Sequence, residues 1–179
     1  MESRHRTLKD GQLLLIREAT VSDAQAVLAF VQNISSESDF LSFGPGEFEL
    51  TVLQEETHLQ TCLESDNRLY LLALINGTIV GTLNFNGGHR PRMRHSGGFG
   101  MVVQKQVWGL GIGGLMLDTL IQWARESRIV TKINLQVRSD NHRAIALYQR
   151  KGFVTEGTLH KEIFLNGQYF DTYWMGLEL

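Results

Sequence analysis

Glycine occupies four of the six positions from 109 to 114, in the order Gly-Leu-Gly-Ile-Gly-Gly. An apolar run ending at Val103 precedes this glycine turn, and an amphipathic helical pattern that continues to Ser127 follows it. Glycines between a strand and a helix let the backbone approach a ligand closely, because no Cβ intervenes. The free N–H groups of the first helical turn and the positive end of the helix dipole both favour an anion. The turn therefore predicts a site for a phosphorylated cofactor.

The same glycines match G-x-G-x-x-G, the pattern of dinucleotide-binding turns. That site requires the strand to end directly before the first glycine, whereas residues 104–108 intervene here. It also needs an acidic residue at the end of a second strand, and the next strand-like run, 133–137, is followed by Arg138. Both departures argue against a dinucleotide-binding site. A turn that only packs a helix on a sheet stays an alternative, although so many glycines carry a cost in backbone entropy.

A second helix is predicted over residues 141–151, with N-cap chemistry in the Ser-Asp-Asn at its start and Gly152 at its end. Asn141, Ile145 and Tyr148 recur at spacings of four and three, so they share one face of this helix. An amide and a phenol beside an apolar residue are unusual on a face that only packs. The alternative is a capping Asn and a half-buried Tyr whose hydroxyl bonds a backbone group.

The two motifs together resemble those of the GCN5-related N-acetyltransferases, the GNAT superfamily. They are VVQKQVWGLGIGG at 102–114 and N-x2-A-x3-Y-x3-G-F at 141–153. The resemblance in these motifs covers about residues 97–153, and the order of the elements on either side agrees with it. Trp108 stands where the family signature often has Gln or Arg. Because the contacts of this turn are made by main-chain amides, the implied role of the turn is unchanged.

The resemblance implies acetyl-coenzyme A as cosubstrate and no metal. The pantetheine arm would pair with the main chain of Met101, Val102 and Val103. The pyrophosphate would lie on the amides of Leu110–Gly114. The implied cofactor-binding residues of this region are Trp108, Gly109, Leu110, Gly111, Ile112, Gly113 and Gly114. Asn141 would hydrogen-bond the pantetheine, and Tyr148 would protonate the departing thiolate, which suits a phenol with a pKa near 10. Lys105 and Arg143 are candidates for the remaining phosphate, with solvated charge as the alternative.

The implied reaction is direct attack of a primary amine on the thioester in a ternary complex, with a small or amino-acid-like acceptor. Four acidic residues of the first long loop are candidates for attracting a cationic amine, or form a solvated loop: Glu37, Asp39, Glu47 and Glu49. Glu162 and Asp171 on the late strands are candidate bases. Acetylation of a protein N-terminus or lysine stays an alternative. So does a module that binds acyl-CoA without transferring the group, although it would not need the acid Tyr148.

Composition indicates one ordinary domain over residues 1–179, with 42% hydrophobic and 20% charged residues and a net charge of −2. No basic excess indicates nucleic acid or a membrane as partner. The basic run at 89–95 is interpreted as a solvated loop, with an acidic acceptor or a cofactor phosphate as alternative ligands. The single cysteine, Cys62, excludes an internal disulfide and is expected to be a small buried residue. The N-terminus is too polar for a signal peptide, so a cytoplasmic location is expected; dimerisation, common in the superfamily, stays open.

The coarse order of elements follows from periodicity and turn residues. Strands are predicted over 13–17, 69–75, 78–86, 98–103, 133–137, 154–164 and 170–178. Helices are predicted from a cap at Thr20 to about 34, over 51–64, from the glycine turn to 127 and over 141–151. Asn-Gly pairs at 76–77 and 166–167 predict tight hairpins. The expected fold is α/β, the GNAT acyl-CoA N-acyltransferase fold, with a twisted mixed sheet, helices on both faces and a crevice between strands 98–103 and 133–137.

Overall fold

The computed structural model describes residues 3–179, which form an eight-stranded mixed sheet and four α-helices. The strands are β1 (Arg4–Thr7), β2 (Leu13–Glu18), β3 (Arg68–Ile75), β4 (Thr78–Gly87), β5 (Ser96–Val103), β6 (Lys132–Arg138), β7 (Val154–Leu165) and β8 (Gln168–Glu178). The helices are α1 (Ala24–Ile34), α2 (Val52–Glu64), α3 (Ile112–Ser127) and α4 (His142–Arg150). The strand order across the sheet is β1-β2-β3-β4-β5-β6-β8-β7.

The predicted helices and strands are confirmed, with small shifts at their ends. Strand β1 is the element that the sequence did not indicate. It is a polar edge strand, Arg-His-Arg-Thr, whose Arg4 lies opposite Ile16 in the antiparallel pair with β2. The two hairpins also form where Asn-Gly predicts them. Positive φ angles of 50° and 79° at Asn76 and Gly77, and of 51° and 79° at Asn166 and Gly167, are those that two-residue hairpin turns require.

Strand β3 shows why helices cover both faces of the sheet. Its residues are apolar almost throughout, as expected for a strand buried on both sides. Because successive side chains alternate, Leu69, Leu71 and Ala73 join the buried cluster that contains α3. Their neighbours Tyr70 and Leu72 join a second cluster with α1 and α2. None of the helices within residues 3–179 has both the length and the hydrophobicity that spanning a membrane requires.

The sheet opens between β5 and β6, the one parallel pair of strands within residues 3–179. Pairing covers only Ser96–Gly98 against Lys132–Asn134, after which the two strands diverge. The remaining residues of β5 therefore keep an edge that no strand covers. This is the crevice expected from the sequence, at the place where open α/β sheets bind ligands.

Candidate functional site

The crevice between the diverging strands has a volume of about 1040 Å³. One wall is the end of β5 with the glycine turn and the start of α3, and the other is the end of β6 with α4. It is lined by all the predicted cofactor residues except one: Met101, Val102, Val103, Trp108, Gly109, Gly111, Ile112, Gly113, Gly114, Asn141 and Tyr148. Leu110, the exception, is half-buried against the core below the turn.

The glycine turn has the geometry of an anion site. Gly109 and Gly111 have φ angles of +89° and +86°, which residues with a Cβ rarely adopt. Gly111 is the N-cap of α3, and its carbonyl accepts the first helical hydrogen bond, from Leu115 N–H at 3.1 Å. Residues 112–114 lie between these two residues. Their amides therefore have no helical carbonyl four residues earlier to which they could donate. They line the crevice, where an anion would also meet the positive end of the α3 dipole.

Trp108 connects the two walls. Its indole Nε1 donates a hydrogen bond to the carbonyl of Val103 at 2.6 Å, which fixes the ring at the end of β5. The guanidinium of Arg143, in the first turn of α4, lies 4.7 Å from the centre of this ring. Arg143 lines the crevice and forms no ion pair within residues 3–179. The side chain of Lys105, the other predicted phosphate partner, is exposed outside the crevice lining.

Asn141 and Tyr148 face the crevice from α4, as their shared helix face predicted. Asn141 caps the helix, with its Oδ1 accepting from Ala144 N–H at 3.2 Å, so the amide Nδ2 stays available. The Tyr148 ring is buried, and its centre lies 5.9 Å from the ring centres of both Phe99 and Phe153. Burial raises the pKa of Tyr148 to about 12. Its hydroxyl has no hydrogen-bond partner among the described residues, so the alternative of a backbone-bonded phenol is not observed.

Residues 35–49, between α1 and α2, cross the far end of the crevice. On the β5 side, Glu37 Oε2 accepts a hydrogen bond from Lys105 N–H at 2.7 Å. On the β6 side, Arg138 Nη1 donates to the carbonyl of Asp39 at 2.7 Å. The guanidinium of Arg138 also lies 4.9 Å from the ring centre of Phe40. The 35–49 segment is therefore attached to both walls.

Arg138 is the central residue of this end, and its place in the sequence did not indicate a role. It is 6% exposed, and its Nε and Nη2 donate to the two carboxylate oxygens of Asp140 at 3.0 and 2.6 Å. The ring of Phe170 covers its other face, 3.7 Å from Cζ to the ring centre. An arginine between a buried strand and a Ser-Asp-Asn cap was the available signal. Arg150, also unassigned, lines the crevice from the last turn of α4.

The predicted acidic residues are not gathered at the crevice. Glu37 and Glu162 line it, whereas the side chains of Asp39 and Glu49 do not. Glu47 turns back into its own loop and accepts a hydrogen bond from Gly44 N–H at 2.7 Å. The 35–49 segment instead presents apolar side chains to the crevice: Phe40, Leu41, Phe43 and Phe48.

The two candidate bases differ in their partners. Asp171 Oδ1 accepts from Lys161 N–H and Oδ2 contacts His160 Nδ1, both at 2.9 Å. The hydrogen bond from the Lys161 amide, followed by that from His160, lowers the pKa of Asp171. Lys161 has a φ of +56° and lies in an irregularity of β7 between Leu159 and Ile163. Asp171 therefore holds a bulge, and Glu162, the next residue of that bulge, lines the crevice without an ion pair in the described chain.

Two other sequence features lie outside the crevice. The basic run at 89–95 connects β4 to the start of β5, away from the diverging end, and its Arg94 pairs with Asp66. Cys62 is 2% exposed on α2, as expected for a small buried residue, and burial raises its pKa to about 11. Neither the basic run at 89–95 nor Cys62 lines the crevice.

Comparisons with known proteins identify the family of the chain. Residues 29–153 match the model of the Acetyltransferase (GNAT) family. The solved structure of a GNAT-family acetyltransferase from Streptococcus pneumoniae is 38% identical, with a TM-score of 0.90 over 93% of this chain and 99% of that one. The L-amino acid N-acetyltransferase AaaT of Escherichia coli is 35% identical over 105 residues, which are 59% of this chain and 65% of AaaT, just under two thirds of its length.

A second curated relative, the spermidine N(1)-acetyltransferase of Vibrio cholerae, is 25% identical over 148 residues, covering 80% of this chain and 83% of that enzyme. The family match spans most of the chain, and the crevice carries the glycine turn and Tyr148 that the resemblance implied. The chain therefore belongs to the GNAT acetyltransferase family.

Proposed function

We propose that the chain acts as a single domain that acetylates the primary amine of a small, amino-acid-like molecule by direct attack in a ternary complex. One observation carries the proposal. A single crevice bears the glycine turn and Tyr148, and its far end is crossed by the 35–49 segment, which is attached to both walls. Such an arrangement holds two substrates together, with the attached 35–49 segment bounding the acceptor end of the crevice.

The residues of the crevice fit acetyl-CoA, which supplies the activated thioester when bound. The amides of residues 112–114 fit the pyrophosphate, and the uncovered edge of β5 beyond Gly98 fits the amide-containing pantetheine arm. The carbonyl of Val103 is held by Trp108, so this pairing relies on the other main-chain groups of Met101–Val103. Arg143 and Arg150 bring positive charge to the side where the remaining phosphate would lie.

Tyr148 is proposed as the general acid. A pKa of about 12 keeps its hydroxyl protonated at neutral pH, and the hydroxyl has no hydrogen-bond partner in the described chain. Its ring is held by Phe99 and Phe153, so the hydroxyl has a fixed position beside the crevice. The hydroxyl then donates its proton to the sulfur that leaves when the amine attacks.

Glu162 is proposed to hold the acceptor amine and to take its proton. An ammonium group must become neutral before it can attack, and a carboxylate within the crevice favours its binding and accepts its proton. Glu37 and Glu162 both line the crevice without an ion pair in the described chain. Glu37 Oε2 accepts a hydrogen bond from Lys105 N–H, so Glu162 is the carboxylate that is left for the amine. Asp171 is disfavoured as the base because both of its oxygens are already engaged within the β7 bulge.

The named relatives support a small acceptor, since one is named for L-amino acids and the other for spermidine. The test is thiol release from acetyl-CoA over a panel of amino acids, monoamines, polyamines and short peptides. Release with small amines and none with peptides is the expected result. Release that requires a peptide would favour the protein-acceptor alternative, and tight binding without release for any amine would favour the non-catalytic module.

A further inference from the structure

We infer that the acceptor carries an apolar group, aromatic or branched aliphatic, and only one positive charge. The inference rests on the proposed function, which places the acceptor amine at the end of the crevice crossed by the 35–49 segment. It names the acceptor class within that function and depends on what this segment presents to the crevice.

Apolar side chains form the wall. Phe40, Leu41, Phe43 and Phe48 all line the crevice, and the rings of Phe43 and Phe48 contact each other with their centres 5.2 Å apart. Leu41, Phe43 and Phe48 pack on the buried cluster of α1 and α2, so each has one side against the core and part of its surface accessible. An apolar group of the acceptor would cover that accessible surface, which favours its binding.

The wall is held in place before the acceptor binds. Glu37 and Asp39 attach the segment to Lys105 and Arg138 by hydrogen bonds of 2.7 Å each. The ring of Phe40 also lies against the Arg138 guanidinium, which Phe170 and Asp140 hold from other sides. A preformed apolar pocket avoids the entropy cost of ordering a loop when the ligand binds.

The charges near the wall disfavour an acceptor with several ammonium groups. Two carboxylates line the crevice within the described chain. Glu37 already accepts a hydrogen bond from the Lys105 amide, and Glu162 is proposed to bind the reacting amine. The other ionised groups in the lining are arginines: Arg138, Arg143 and Arg150. A second ammonium would therefore leave water for an apolar wall near three arginines, which is costly. Among the described lining residues Glu37 would be the one carboxylate left to pair with it, and its Oε2 already accepts a hydrogen bond.

The first experiment compares kcat/KM for L-phenylalanine, L-leucine, glycine and spermidine at saturating acetyl-CoA. L-phenylalanine or L-leucine is expected to exceed both glycine and spermidine by about tenfold or more, the scale of discrimination that small apolar differences produce in a pocket. Glycine or spermidine turned over as well as the apolar amino acids would overturn the inference while leaving the acetyltransferase function intact.

Substitutions at Phe43 test whether the apolar wall determines the preference for apolar acceptors. Phe43→Ala should lower kcat/KM for the apolar amino acid by about tenfold and leave the acetyl-CoA Kd unchanged. Phe43→Leu retains an apolar side chain and the packing on α1, so it should keep the fold and shift preference from L-phenylalanine toward L-leucine. Phe164→Ala is the control, because Phe164 is 62% exposed on β7 outside the crevice. Equal losses for Phe43→Ala and Phe164→Ala would contradict the assignment.

A binding measurement separates this inference from the proposed function. If no amine releases thiol, the proposed function fails, and the pocket is tested by titrating N-acetyl-L-phenylalanine or N-acetylspermidine into the CoA-loaded protein. Preference for N-acetyl-L-phenylalanine supports the apolar pocket independently of turnover. Preference for N-acetylspermidine, or binding of neither compound, overturns it.

Discussion

The guanidinium of Arg143 lies over the ring of Trp108, 4.7 Å from Cζ to the ring centre. The contact joins the first turn of α4 to the residue just before the glycine turn, on opposite walls of the crevice. Trp108 is held in turn by its hydrogen bond to the Val103 carbonyl. The stacking orients Arg143 while its N–H donors stay available for a phosphate.

Arg143→Ala is expected to raise the Kd for acetyl-CoA about tenfold at low salt, because a charge-assisted contact to phosphate is lost. The difference should shrink at high salt, since the site is open to screening, and kcat at saturating acetyl-CoA should not change. Calorimetric titration at two salt concentrations measures this change in the acetyl-CoA Kd. Arg125→Ala is the control, because Arg125 lies in the last turn of α3 outside the crevice lining. The same loss in both variants would indicate a general charge effect.

Tyr148→Phe is expected to lower kcat about a hundredfold, the scale of general acid catalysis. The ring contacts with Phe99 and Phe153 persist in the variant, and the hydroxyl has no partner to lose in the described chain. Tm and the acetyl-CoA Kd should therefore stay at their wild-type values. Steady-state kinetics and thermal unfolding test this together, and an unchanged kcat would remove Tyr148 from the mechanism.

Asp171→Asn is expected to raise KM for the acceptor several-fold with no change in the acetyl-CoA Kd, because Asp171 holds the bulge that brings Glu162 to the crevice. Lys161→Gly in that background should recover part of the loss, since glycine adopts the positive φ of 56° without strain. Glu156→Gln, which breaks the ion pair with Lys132 elsewhere on β7, is the control. An equal effect of Glu156→Gln, or no rescue, would argue against a positioning role.

Stability should fall on acidification through Asp23. The bidentate hydrogen bond from Arg17, at 2.7 Å to each oxygen, lowers the pKa of Asp23 from 3.8 to about 2 in the folded protein. A carboxyl whose folded pKa is lowered stabilises the fold above its unfolded pKa, so this contribution is present above about pH 4 and lost as the pH falls toward 2. Urea unfolding of wild type and Arg17→Gln at pH 6 and pH 3 tests it. The difference between the two proteins should narrow at pH 3, and a constant difference would contradict the linkage.

The sequence predicted the features that local rules determine. Asn-Gly pairs require positive φ at both positions, and the glycine turn before α3 needs backbone angles that few other residues adopt, so both are visible without the fold. The shared face of Asn141 and Tyr148 follows from helix geometry alone. These are the features that form the cofactor side of the crevice.

The acceptor end could not be predicted in the same way, because its contacts join distant parts of the chain. Arg138 and the carbonyl of Asp39 are 99 residues apart in sequence, and Lys105 and Glu37 are 68 apart. The acidic residues of the 35–49 segment suggested a negatively charged rim that attracts a cationic amine. In the structure Glu37 and Glu47 accept hydrogen bonds, and phenylalanines face the crevice. Sequence shows which side chains the segment has, but tertiary packing decides which of them reach the ligand.

The most direct test of the account is calorimetric titration of acetyl-CoA into wild type, Gly111→Val and Gly167→Val. Both glycines have similar φ angles, +86° and +79°, and a Cβ at either would meet nothing within 4 Å, so each variant carries backbone strain without a clash at Cβ. Gly167 lies in the β7–β8 hairpin, away from the crevice. Loss of binding for Gly111→Val with wild-type affinity for Gly167→Val is the predicted result. Wild-type affinity for Gly111→Val would contradict the assignment of the glycine turn as the pyrophosphate site.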